Sequence, residues 1–80
     1  MMKINSTVKL SELAIGKKAV IQEFTDAEMS LKFLEMGCLP GEEVYIKYIA
    51  PFGDPIAVAV AGYTLSMRKK EAATILVSGK

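Results

Sequence analysis

Two clusters of proline and glycine set the limits of this fold: Gly37-Cys38-Leu39-Pro40-Gly41 and Pro51-Phe52-Gly53-Asp54-Pro55. Proline cannot donate to a sheet ladder, and glycine supplies the positive φ that tight turns need, so no regular element passes through either cluster. The chain is cut into pieces the length of a strand or a short helix. Its 80 residues are read as one domain, 1–80, with a thin core. An apolar fraction of 51% argues against disorder.

The segments between the clusters have clear periods. Val8 to Leu13 is a short lead-in that ends in a turn closed by Gly16. Lys18 to Phe24, with Val20, Ile21 and Phe24, reads as a strand. Thr25 and Glu28 then have the spacing of a capping box. Beyond them Ala27, Leu31 and Leu34 form one apolar stripe, and Met29, Phe33 and Met36 a second. This predicts a helix over about residues 26–36, ended by Gly37 in a left-handed conformation. Leu39-Pro40-Gly41-Glu42 fits a type II turn, with proline second and glycine third. Glu43 to Ala50 alternates like a half-buried strand, and Pro51 to Pro55 is a loop. Ile56, Val58 and Val60 then alternate with Ala57, Ala59 and Ala61, an unusual pattern because a solvent face normally carries Thr, Lys or Glu. A reversal at Gly62-Tyr63 leads into Tyr63 to Met67, a turn or short helical piece covers Lys69 to Ala73, and Thr74 to Val77 is the last strand. About five short strands and one helix in a chain this small predict a mostly-β small barrel, because closure removes exposed edges.

Much chemistry is absent from the composition. With no histidine and one cysteine, the chain lacks a neutral-pH acid/base residue, an activating partner for Cys38 and the Cys/His ligands of a zinc site. No catalytic, cofactor or metal site is assigned, and Fe²⁺ is considered only as a weakly held or shared ligand of Asp54, Glu42, Glu43 or Cys38. Net charge is +1 with no basic stripe, so no nucleic-acid partner is expected. A lone cysteine and an N-terminus without a leader-like apolar run suit a cytosolic protein. The longest uncharged stretch, Pro55 to Met67, falls short of the about 20 residues a spanning helix needs.

Three stretches together resemble one family. Leu34-Glu35-Met36-Gly37-Cys38-Leu39-Pro40-Gly41 is similar to its helix-end motif. Ala50-Pro51-Phe52-Gly53-Asp54-Pro55-Ile56, followed by Val60-Ala61-Gly62, is similar to its loop-to-strand motif. Leu65-Ser66-Met67-Arg68-Lys69-Lys70-Glu71-Ala72, with Ile75 and Val77, is similar to its C-terminal signature. The family is FeoA, and the resemblance covers about residues 8–77. Cys38 stands where a larger aliphatic residue is usual, and Lys32 where arginine is common. No turn residue is lost, but lysine lacks the planar fork that arginine brings to bidentate recognition.

The resemblance implies an SH3-like barrel and an accessory role beside FeoB, the membrane permease with a cytosolic GTP-binding domain. It implies membrane contact through that partner only, and the alanine face leaves self-association open. A second reading is an iron-responsive regulatory domain akin to the C-terminal domain of iron-dependent repressors, and a third is an iron carrier. The candidate partner contacts are Met36, Cys38, Leu39, Phe52 and Arg68. Aromatic and methionine side chains are common interface anchors, and core packing is the alternative role for Met36, Cys38 and Leu39. Arg68 is the only arginine, hence the one candidate arginine finger, with a surface ion pair to Glu71 as its alternative. Gly37, Pro40, Gly41, Pro51, Gly53, Pro55 and Gly62 are read as turn residues explained by backbone geometry.

Overall fold

A computed structural model describes residues 6–79, so the first five residues, read above for a leader, lie outside the described residues. Among the described residues six antiparallel strands form one sheet: β1 (Val8–Lys9), β2 (Ala19–Phe24), β3 (Glu43–Ile49), β4 (Ile56–Val60), β5 (Tyr63–Met67) and β6 (Ile75–Gly79). Their order is β1-β6-β2-β3-β4-β5. Helix α1 (Ala27–Glu35) joins β2 to β3, and the short α2 (Lys69–Ala72) joins β5 to β6. The mostly-β fold with one main helix is therefore as expected. The sixth strand comes from the lead-in segment, where Val8 pairs with Val77 before the chain winds into a 3₁₀ turn and buries Leu10.

The sheet wraps one core. Ile21, Val44, Ile46, Ile56, Val58, Val60, Ile75 and Val77 point inward from four strands and join Phe33, Leu10 and Ala72 in a single buried cluster. Register shifts at Ile21/Glu23 in β2 and at Ile46/Tyr48 in β3 mark bulges, which bend a strand and increase its twist. Those bends let so few residues enclose a core from several sides.

The α1 N-terminus corrects one expectation. Asp26, not Thr25, caps the helix, its Oδ1 accepting the Met29 N–H at 2.9 Å. Thr25 instead prolongs the β2–β6 pairing: its N–H and its hydroxyl both donate to the Thr74 carbonyl, at 2.8 and 3.3 Å. A residue held in that extended pairing turns its side chain away from the helix, so the cap moves one position on.

Of the two apolar stripes on α1, the one carrying Phe33 faces the core. Phe33 is buried and stacks on Phe24 at 5.8 Å between ring centres, with Met29 and Met36 packed beside it. At the other end the Cys38 N–H bonds the Phe33 carbonyl at 2.9 Å and the Gly37 N–H bonds the Leu34 carbonyl at 3.1 Å. That pair of bonds is a Schellman ending with Gly37 at C′, where its φ of +89° is required. The same motif favours an apolar contact between the residues at C″ and C3, here Cys38 and Phe33, and both lie in the core.

Candidate partner-docking surface

The helix end is built in layers. Beyond the Schellman bonds, the Glu42 N–H closes the expected turn onto the Leu39 carbonyl at 3.0 Å, with Gly41 at φ +95°. The Gly41 N–H donates to the Ile21 carbonyl and the Ile21 N–H to the Glu42 carbonyl, which fasten the turn to β2. Tyr63 adds a tie that sequence reasoning missed. It follows the two-residue Ala61-Gly62 turn between β4 and β5, where both residues have positive φ as a type I′ hairpin requires. From there its hydroxyl donates to the Met36 carbonyl, one of the acceptors a helix end leaves without an internal partner. No spacing rule connects a hairpin tip to a helix end, so no local signal announces this bond.

This frame decides what the first turn presents. Cys38 is buried, so it packs the core and offers nothing to a partner; burial pushes its thiol pKa up. Met36 is half-buried against the core, and Leu39 is 43% exposed. The second stripe of α1 is the larger apolar feature here: Leu31 is 65% and Leu34 42% exposed. Leu31, Leu34 and Leu39 thus leave leucine uncovered along α1 and just beyond its end.

The second turn lies at the other end of β4. The Gly53 N–H bonds the Ala50 carbonyl at 2.7 Å, and the Ala50 N–H bonds the Pro55 carbonyl at 3.1 Å. The Asp54-Pro55 peptide bond is cis. Asp54 Oδ1 accepts the Lys69 N–H at 2.8 Å, which anchors the loop to the first residue of α2. Phe52, at the tip, is 99% exposed. Arg68 is exposed beside this loop, and the expected Arg68–Glu71 ion pair is not formed. Glu71 instead takes the Arg68 main-chain N–H on Oε1 at 2.7 Å and pairs with Lys32 through Oε2 at 3.6 Å. The helix therefore claims the carboxylate that the strand end was expected to hold.

The candidate residues fall into two groups: Met36, Gly37, Leu39, Pro40, Gly41 and Gly62 at one end of β4, and Pro51, Phe52, Gly53, Pro55 and Arg68 at the other. Between them Ala57 and Ala59 sit half-buried on the outer face of β4. Beside Ala59 lies an open groove of about 630 Å³, walled by Tyr45, Tyr63 and the Lys47–Thr64 hydrogen bond, with Glu42 at its rim. Among the described residues no three His, Cys, Asp or Glu side chains come together as metal ligands. No helix among them is long and apolar enough to cross a membrane.

Residues 8–79 match the family model of the FeoA domain. The chain belongs to the FeoA family. A curated relative from Porphyromonas gingivalis is 35% identical over 71 residues and is a fusion of Fe(2+) transport protein A with the Fe(2+) transporter FeoB. The match spans 88% of this chain but only 8% of that fusion protein. Among solved structures, a FeoA-like protein from Clostridium acetobutylicum is 38% identical with a TM-score of 0.87, covering 95% of this chain and 90% of that one. FeoA of Stenotrophomonas maltophilia, solved with zinc and described as a prokaryotic SH3 domain protein, is 30% identical with a TM-score of 0.74, covering 85% of this chain and 86% of that one. The IdeR of T. acidophilum superimposes with a TM-score of 0.81 over 98% of this chain and 36% of that one, at 19% identity, which shows a shared fold alone. The FeoA family is associated with ferrous iron transport, and the fold of this chain is SH3-like.

Proposed function

We propose that this chain is an accessory module of ferrous iron uptake that docks on the cytosolic part of a FeoB-type GTP-binding permease and modulates its activity. The observation that carries the reading is the fusion relative, in which a FeoA segment and a FeoB transporter share one polypeptide. Covalent linkage raises the effective concentration of one module at the other, which is useful where the separate contact is weak. The exposed stripe of Leu31 and Leu34, extended by Leu39, supplies a docking face. Leucines left at the surface of a small domain cost nothing once a partner covers them, and each fully buried one contributes about 1.5–3 kcal/mol.

The test is capture of the full chain by the cytosolic domain of the FeoB-type transporter from the same organism. Leu31→Asp and Leu34→Asp are expected to weaken capture at least tenfold each, while far-UV circular dichroism stays unchanged because both side chains are already exposed. Capture indifferent to both changes would leave the face without a role. Modulation is not routed through an arginine finger: Arg68→Ala is expected to leave the effect on GTP hydrolysis at the wild-type level. A drop of the size fingers produce, about 10³-fold or more, would assign Arg68 to the GTPase site instead.

A further inference from the structure

We propose that the Phe52 loop and the start of α2 form a contact surface for an anionic lipid bilayer. This goes beyond docking on the transporter and does not depend on it. Phe52 is 99% exposed on a loop held by two main-chain hydrogen bonds and by Asp54 on the Lys69 N–H. A large apolar ring kept in water on a rigid support is pre-organised for insertion, since little freedom is lost when it is buried. The Asp54–Lys69 bond also sets the loop against Arg68, Lys69 and Lys70, three consecutive exposed cations.

The nearby carboxylates cancel only part of this charge. Glu71 is paired with Lys32, and Asp54, bonded to the Lys69 N–H, keeps its negative charge, so Arg68, Lys69 and Lys70 with Asp54 leave a net charge of +2. Long lysine and arginine stems let the charged heads reach a common plane. Tyr48, 58% exposed near the end of β3 that leads into the loop, adds a second aromatic of the kind that settles at headgroup depth.

Charge complementarity selects the occupant. A protein pocket built for Phe52 would need apolar neighbours around the ring to exclude water, and the loop here is tied instead to a helix start that exposes three cations. A bilayer with anionic lipids offers the reverse arrangement: diffuse negative charge at the surface and hydrocarbon just beneath it. One ring and three cations make a weak attachment, comparable at best to the about 10⁴ M⁻¹ of a single myristoyl chain. Such a contact is reversible and sets the orientation of the module at the bilayer surface.

The experiment is co-sedimentation of the full chain with vesicles of phosphatidylcholine mixed with phosphatidylglycerol, against vesicles of phosphatidylcholine alone. Binding to the anionic vesicles only, weakened by added salt, is expected. Phe52→Ala should reduce it at least about tenfold, from the 1.5–3 kcal/mol of a buried aromatic. Lys69→Gln and Lys70→Gln should each reduce it about fivefold, from about 1 kcal/mol per cation. All three side chains are exposed, so thermal unfolding should stay at the wild-type temperature, and Leu31→Asp should bind vesicles like wild type. No binding to anionic vesicles at low salt overturns the proposal, as does equal binding to both vesicle types or binding indifferent to Phe52→Ala. Loss of transporter capture on Phe52→Ala without any vesicle binding would make the loop a protein anchor and likewise overturn it.

Discussion

Replacing Gly37 by alanine probes the junction that holds the helix end in place. The residue sits at φ +89°, where a side chain on an L-residue costs about 1–2 kcal/mol. A Cβ at this position would stand 2.5 Å from the Tyr63 hydroxyl, so the tyrosine must withdraw. Withdrawal breaks its bond to the Met36 carbonyl, a net loss of about 0.5–1.5 kcal/mol. The sum is about 1.5–3.5 kcal/mol. A domain of 80 residues holds about 4–12 kcal/mol at about 0.05–0.15 kcal/mol per residue, so Gly37→Ala removes a large share of it. Urea unfolding followed by circular dichroism should show a lower midpoint at an unchanged slope. Tyr63→Phe removes the obstructing hydroxyl and should cost about 0.5–1.5 kcal/mol alone. In that background Gly37→Ala should cost only the conformational 1–2 kcal/mol, so the double variant is less destabilised than the sum by about 1 kcal/mol. Costs that add, or a single-variant loss below about 0.5 kcal/mol, would refute the reasoning.

Two further stability outcomes follow from the backbone and from burial. Ala61 is a non-glycine residue at φ +52° in the hairpin turn, so Ala61→Asn, which makes the favoured Asn-Gly pair, should raise stability by up to about 1 kcal/mol. Calorimetry should register this as an upward shift of a few degrees. Burial raises the Cys38 thiol pKa, so the unfolded thiol ionises from about its ordinary value of 9.0 upward while the folded one stays neutral. The neutral thiol's contribution is therefore complete below the unfolded pKa and is lost as pH rises toward the folded one. Unfolding curves taken across that alkaline range should fall less steeply for Cys38→Ala than for wild type, and equal slopes would contradict the burial argument.

Local geometry carried most of what was legible in the sequence. Gly37, Gly41 and Gly53 announced their turns because positive φ is nearly theirs alone, and alternation in β4 separated Ile56, Val58 and Val60 from the alanines. What stayed hidden depends on contacts distant in the chain. Thr25 lost its capping role to a partner near the C-terminus, and Glu71 went to Lys32 on α1, not to its neighbour Arg68. Two stripes of three apolar residues each run along α1, and their spacing alone does not say which one the sheet accepts. The sequence allows Cys38 either as a partner contact or as packing, and the helix ending sets it beside Phe33 in the core. Of the five candidate contacts, Leu39, Phe52 and Arg68 are exposed, but at opposite ends of β4, and the exposure of Leu31 and Leu34 follows from which stripe of α1 the core takes.

The proposed docking of the exposed α1 face on the transporter's cytosolic domain can be followed residue by residue, by titrating that domain into the ¹⁵N-labelled chain and recording the amide resonances. The expected result is a set of shifts or broadenings centred on Leu31, Leu34 and Leu39 and abolished by Leu31→Asp. Resonances that never move, or movements confined to the Phe52 loop with α1 untouched, would contradict it.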